Sequence, residues 1–384
     1  EHIGSPVNRL LMDEIDFSHR LIGIKGSRGV GKTTFLLQYA KQHFDIDDKA
    51  CLYINLNNFY FTKRSLIDFA DEFRKKGGKT LLIDQVFKYA DWSKDLRYCY
   101  DNFQDLNIIF TGSSVMRLKE ENSDLAGCVH SYNLRGFSFR EYLNLINETN
   151  LPAYSLNDIL TRHEEIAADI VAKVKPIAYF QDYLHHGFYP FFLEKRNFSE
   201  NLLKTMNMVL EVDVLLLKQV ELKYLPKIKK LFYLLATNAI NTPCSPNVSQ
   251  LSSEIEISRA TVMNYIKYMK DARLMNLLYS KNEDFPKKPE KVYLQNTNQM
   301  YAIWPTNIEH NALMETFFFN NVYKEHSVNK GEKGADFLVN KKLNFCVCNK
   351  NDKRKTAPDV YYAVDMIEIG EQNYIPLWLF GFLY

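Results

Sequence analysis

The eight residues Gly26-Ser27-Arg28-Gly29-Val30-Gly31-Lys32-Thr33 fit the pattern G-x-x-x-x-G-K-[ST], whose chemistry is the holding of nucleotide phosphates. Glycines permit unusual dihedrals and let backbone approach a ligand closely. Loop N–H groups and the positive end of a following helix attract anionic oxygen. On this reading Gly26, Ser27, Arg28, Gly29, Val30, Gly31, Lys32, Thr33 and Thr34 form the nucleotide-binding stretch. Lys32 reaches the outer phosphates and the Thr33 hydroxyl ligates Mg²⁺. Asp84 ends the run Thr80-Leu81-Leu82-Ile83 and is the natural second residue on the magnesium side. The plainer alternatives are a glycine turn and a strand-end carboxylate. The two features together favour phosphate chemistry.

Such residues need a scaffold. Residues 20–25 read as a short apolar strand and 34–43 as a helix, the setting that supports the loop. Strand-like and helix-like stretches then alternate: 51–56 strand, 66–76 helix stopped by Gly77-Gly78, 80–84 strand, 92–103 helix, 107–111 strand ending at Gly112-Ser113-Ser114. Alternation of this kind predicts an α/β fold, a parallel sheet with helices on both faces. Ligands then bind at the carboxyl ends of the strands, where Lys32, Asp84 and Ser113 fall.

The 384 residues exceed one ordinary core, so two or three domains are expected. A net charge of +2 gives no global positive field for nucleic acid, and any such binding must be local. No apolar run reaches 18 residues and no signal-peptide pattern is present, so no membrane association is expected. The sequence begins at Glu1 rather than Met, which points to a natural start further upstream. Six scattered cysteines without an export signal predict a reducing cytoplasm. The apolar tail 375–384 is too short to span a bilayer and reads as a buried final strand.

The stretches GSRGVGKTTFLLQYA, KTLLIDQVFKYADWSKDLRYCYD, IIFTGSSVMRL, LRGFSFREYL, GFYPFF, KVYLQNTNQMYAI, METFFFN and GADFLVNKKLNF occur in an order that resembles a prokaryotic AAA+-like ATPase family of the additional-strand type. Members of that family couple a P-loop domain to a winged helix and a C-terminal domain with a restriction-endonuclease-like fold. The resemblance implies a P-loop ATPase domain with a helical lid over 1–195, the lid beginning at Ser138-Phe139-Arg140-Glu141-Tyr142. A winged helix-turn-helix over 196–283 and an α/β nuclease-like domain over 284–384 follow. It also implies ATP and Mg²⁺ as ligands and a sensor role for Ser113. Where relatives have Asp-Glu, this chain has Asp84-Gln85. Gln can hold a water but cannot take its proton as a carboxylate does. Gly127-Cys128 stands where relatives tend to carry arginines, with Arg117 and Arg135 nearby, and Asn57 where they often have Asp. These losses of charge predict slow hydrolysis with nucleotide binding retained.

The middle of the chain reads as helix-turn-helix on its own pattern. Helices are expected over 248–255 and 258–269, with Ala260, Met263, Ile266 and Met269 toward the core and Arg259, Asn264, Lys267 and Lys270 toward solvent. A wing strand over 271–279 and a linker over 284–291 follow. The basic face fits either DNA or a protein partner. The adjacent pair His185-His186 lacks the i,i+4 spacing of helical metal ligands and reads as structural. In the C-terminal part, Asp336 matches the nuclease pattern, but Cys346 and Cys348 stand at the Glu and Lys positions. Thiols suit Mg²⁺ poorly, so that site is expected to be inactive, with zinc as the minor alternative for the thiols. Nothing in the sequence sets an oligomeric state.

Overall fold

Leu21–Gly26 (β1), Cys51–Asn55 (β2), Thr80–Asp84 (β3), Asn107–Ser113 (β4) and His130–Asn133 (β5) are strands in the computed structural model. It describes residues 9–45, 47–116, 122–194, 197–216, 218–351 and 359–384. The strands lie in the order β2-β3-β4-β1-β5 and every pairing is parallel. β3 is buried along its whole length, which is why it reads as an unbroken apolar run rather than an alternating one. Helices Lys32–His43, Leu66–Lys75 and Trp92–Asn102 are the crossovers. The Ser65 side chain caps the second by accepting the Asp68 N–H at 3.0 Å, and Gly77, at φ 94°, follows its end. β4 separates the strand leading into the glycine loop from the strand ending at Asp84, and all carboxyl ends share one edge.

The chain divides into two compact units, Glu1–Gly136 and Phe137–Tyr384. The division falls earlier than the expected boundary near residue 195, because segment 137–194 packs inside the second unit. Helix Leu156–Val171 lies against the C-terminal sheet there: His163 Nε2 is 2.9 Å from the Gln372 carbonyl, and Arg140 Nε donates to the Tyr384 carbonyl at 3.0 Å. Pro176 opens the short helix Pro176–Asp182, where its missing N–H costs nothing.

Helices Leu225–Asn241, Val248–Ile255 and Arg259–Asp271 precede an antiparallel pair, Met275–Leu278 (β6) and Lys291–Leu294 (β7). The stretch read as a linker is therefore the connection of a hairpin. On the third helix Val262, Tyr265, Ile266 and Met269 are buried and Ala260 is exposed. A strict three-residue spacing drifts around a helix of 3.6 residues per turn, so the core face takes 262, 265, 266 and 269 instead of 260 and 263.

The C-terminal sheet runs Tyr374–Pro376 (β12), Val360–Asp365 (β11), Leu343–Asn349 (β10), Phe337–Val339 (β9) and Val328–Lys330 (β8). β10, β11 and β12 pair in parallel, and β8, β9 and β10 pair antiparallel. Asn340 and Lys341, both at positive φ, make the tight β9–β10 turn. The tail is buried as expected but forms a 3-10 turn, Leu377–Phe382, rather than a strand. Pro376 ends the ladder because it has no N–H to give. Phe380 then packs on Phe318 at a ring separation of 4.9 Å.

Candidate functional site

Parallel pairing brings the loop, Asp84 and Ser113 to one edge of the first sheet. Gly26 ends β1 directly beside Ser113 on β4. A Cβ on Gly26 would stand 2.3 Å from the Leu134 carbonyl oxygen, so that strand end requires glycine. Gly29 and Gly31 take φ of 81° and 92°, the left-handed region that glycine enters without steric cost. Val30 is fully buried, and its carbonyl accepts a hydrogen bond from Arg9 Nη1 at 3.1 Å. Arg9 Nη2 donates to the Arg135 carbonyl at 2.5 Å, so this buried guanidinium joins the loop to the residues after β5. Arg28 lies over the Phe87 ring at 5.5 Å. Lys32 Nζ donates to the carbonyls of Gly26 and Ser27 at 2.8 and 2.7 Å, which holds the ammonium at the loop. Thr34 follows on the first helical turn, half-buried.

Thr33 and Asp84, 51 residues apart, meet: the Thr33 hydroxyl donates to Asp84 Oδ2 at 2.7 Å. Asp84 is 1 % exposed. The set is all oxygen, as a hard divalent cation prefers, so Thr33 and Asp84 fit Mg²⁺. Two residues that sequence reading missed complete the setting. Tyr53 on β2 donates its hydroxyl to Asp84 Oδ2 at 3.0 Å, and Thr111 on β4 donates to Oδ1. Burial and the Asp84 charge push the Tyr53 phenol up to about 12. A lone Thr in the buried strand 107–113, level with Asp84, was the available signal. Gln85 follows in the left-handed region at φ 55°, its N–H donating to Asp84 Oδ1 and Thr111 Oγ1, both at 3.1 Å. Non-glycine residues are held there at a cost of about 1–2 kcal/mol, and such positions cluster at functional sites.

Ser113 stands at this edge as expected, and Cys128 stands away from it. The Ser113 hydroxyl oxygen accepts the Val115 N–H at 3.5 Å, within its own turn. Asn57 is exposed in the turn after β2. Cys128 is a core residue two positions before β5, near the amino ends of the strands. β5 begins level with Ile22, so roughly 13 Å of β1 separates that level from Gly26. An arginine at 128 would not stand at the loop of its own chain. Arg117 lies outside the described residues.

In the second unit Asp336 Oδ2 accepts the Val347 N–H at 2.8 Å. Glu315 Oε2 accepts Lys291 Nζ at 3.0 Å and the Tyr293 hydroxyl at 2.5 Å. Cys346 and Cys348 are buried with Val360, Tyr362 and Val364. Among the described residues no group of three His, Cys, Asp or Glu side chains is gathered for a metal.

Residues 18–143 match the family model described as an AAA domain, and residues 177–301 match a domain of unknown function, DUF8612. Residues 18–143 are thus an AAA-like P-loop ATPase domain, a class that binds nucleotide. An uncharacterized protein of Methanocaldococcus jannaschii, MJ1544, is 25% identical over 365 residues, which is 91% of this chain and 72% of the relative. No helix among the described residues is long and apolar enough to cross a membrane.

Proposed function

We propose that this chain is an ATP-binding, Mg²⁺-dependent switch with slow hydrolysis. The observation that carries the reading is the Thr33–Asp84 hydrogen bond at 2.7 Å beside the Lys32 ammonium, with Gln85 next in the chain. The loop N–H groups, Lys32 and the helix start bind phosphate. The Thr33 oxygen would hold the cation directly, and Asp84, its acceptor positions taken by four donors, would orient Thr33 and balance the cation's charge; the cation would neutralise charge on the outer phosphates. Gln85 orients a water by hydrogen bonds but accepts no proton from it, so the bound triphosphate persists. Calorimetric titration of the purified chain with ATP, with and without Mg²⁺, tests this. Wild type should bind in a Mg²⁺-dependent way and Lys32→Ala should not. A wild type that takes up no Mg-ATP sinks the reading.

Three helices followed by the β6–β7 hairpin support reading 225–294 as a winged helix-turn-helix. Its basic face is a weak case for DNA. Lys267 and Lys218 both pair with Asp271, at 3.2 and 3.1 Å, and Lys270 lies 3.8 Å from Asp284. These pairings lower the charge available to phosphates but leave exposed Arg259 and one positive charge of the pair that shares Asp271, too small a patch to favour DNA over packing against protein.

A further inference from the structure

Among the described residues four donors converge on the Asp84 carboxylate. Oδ1 takes the Thr111 hydroxyl and the Gln85 N–H, and Oδ2 takes the hydroxyls of Thr33 and Tyr53. An ionised carboxylate has about four acceptor positions, so these donors fill it. Three of them come from the sheet or its direct continuation: Tyr53 from β2, Thr111 from β4 and Gln85 just past β3. They fix the rotation of the carboxylate. The fourth, Thr33, comes from the helix after the loop. A hydroxyl that gives its proton to Oδ2 keeps its oxygen lone pairs for another partner. Where those lone pairs point is decided by where Oδ2 is held.

We infer that Tyr53 is a positioning residue for the divalent cation that accompanies nucleotide: it anchors Asp84 Oδ2, and through it orients the Thr33 oxygen. This role rests on the nucleotide-binding reading above. It differs from a direct ligand role, because Tyr53 acts through Asp84. A phenol suits the task, since it spans from β2 to the carboxylate and stays protonated at any physiological pH. The Asn55 side chain also hydrogen-bonds the phenol oxygen; Phe in its place keeps the ring packing and removes both that bond and the donor to Asp84. Outer partners of metal-binding groups commonly carry about 10–100-fold in metal affinity.

The test is a titration of the full chain with a fluorescent ATP analogue, in EDTA and at rising Mg²⁺. Tyr53→Phe should require roughly tenfold more Mg²⁺ to reach half of its Mg²⁺-dependent gain in affinity. Its affinity in EDTA should stay within about twofold of wild type, because loop and Lys32 are untouched. Thr111→Val, a second variant that removes a hydroxyl from the same carboxylate, should show the same split. In a Thr33→Val background Tyr53→Phe should add little. An unchanged Mg²⁺ requirement in Tyr53→Phe overturns the role, as does an equal loss in EDTA, which marks a general packing defect. If wild type binds no analogue under either condition, the nucleotide reading fails first and Tyr53 has no cation to position.

Discussion

The Leu134 carbonyl oxygen stands 2.3 Å from the place a Cβ would take on Gly26. Both partners are backbone held by the β1–β5 pairing, so neither can rotate away. Gly26→Ala is therefore expected to destabilise the first unit by roughly 1–3 kcal/mol and to weaken nucleotide binding together with it. Urea unfolding alongside an ATP titration checks this; normal stability with normal binding would refute the close-approach account.

Gln85→Glu restores a carboxylate at a position whose backbone is already left-handed, so the fold has little to adjust. A positioned general base contributes about 10²–10⁴-fold. Single-turnover hydrolysis should rise at least about tenfold, with Mg-ATP affinity little altered. An unchanged rate would show that some other feature limits turnover.

Ser138 and Glu141 cap helix Phe139–Asn147 reciprocally: Ser138 Oγ accepts the Glu141 N–H at 3.1 Å, and Glu141 Oε2 accepts the Ser138 N–H at 3.2 Å. Ser138→Ala should cost the second unit about 1–2 kcal/mol. Denaturant midpoints would report it, and an unshifted midpoint would remove the cap from any account of stability.

Asn298 is fully buried and holds three backbone groups: its Oδ1 accepts the Phe188 N–H, and its Nδ2 donates to the carbonyls of Tyr183 and Leu184. Asn298→Ala removes the partner of the Phe188 N–H and of the Tyr183 carbonyl, while the Leu184 carbonyl keeps the Thr297 hydroxyl at 2.7 Å, at about 1–3 kcal/mol for each group left unsatisfied. The second unit should lose several kcal/mol, read as a large fall in thermal midpoint. A loss below about 1 kcal/mol would mean that water replaces the amide.

Burial raises the Asp365 carboxyl above its usual 3.8, against the lowering pull of the Met366 N–H and of His310, whose Nε2 is 3.1 Å away. Just above pH 3.8 the folded protein keeps a proton that the unfolded chain has released, so this group's contribution to stability falls as pH rises through the raised value and is level beyond it. Asp365→Asn should remove this fall and flatten the stability profile just above pH 3.8. Parallel profiles for the two proteins would count against the assignment.

Much of the first unit was legible because its three central strands, β1, β3 and β4, are buried on both faces. Residues 80–84 matched β3 in full. β5 was missed, since His130-Ser131-Tyr132-Asn133 is polar and lies on the sheet edge, where burial leaves no pattern. Lys32 and Thr33 were read from the motif spacing and Asp84 from the apolar run it ends, but Tyr53 and Thr111 enter through cross-strand register, which one sequence does not display. GFYPFF and KVYLQNTNQMYAI, quoted as family signatures, prove to be joined: the Tyr189 hydroxyl accepts from Asn296 Nδ2 and Gln299 Nε2, both at 3.1 Å. Buried amides must be satisfied, and that demand looks the same as a functional motif when the fold is not in view.

The Arg9 guanidinium touches Val30 with one nitrogen and Arg135 and Gly136 with the other. A planar, rigid fork of this kind behaves as a strut. Any shift of the loop around an incoming triphosphate is therefore shared with the backbone that follows β5 and not absorbed at the loop alone.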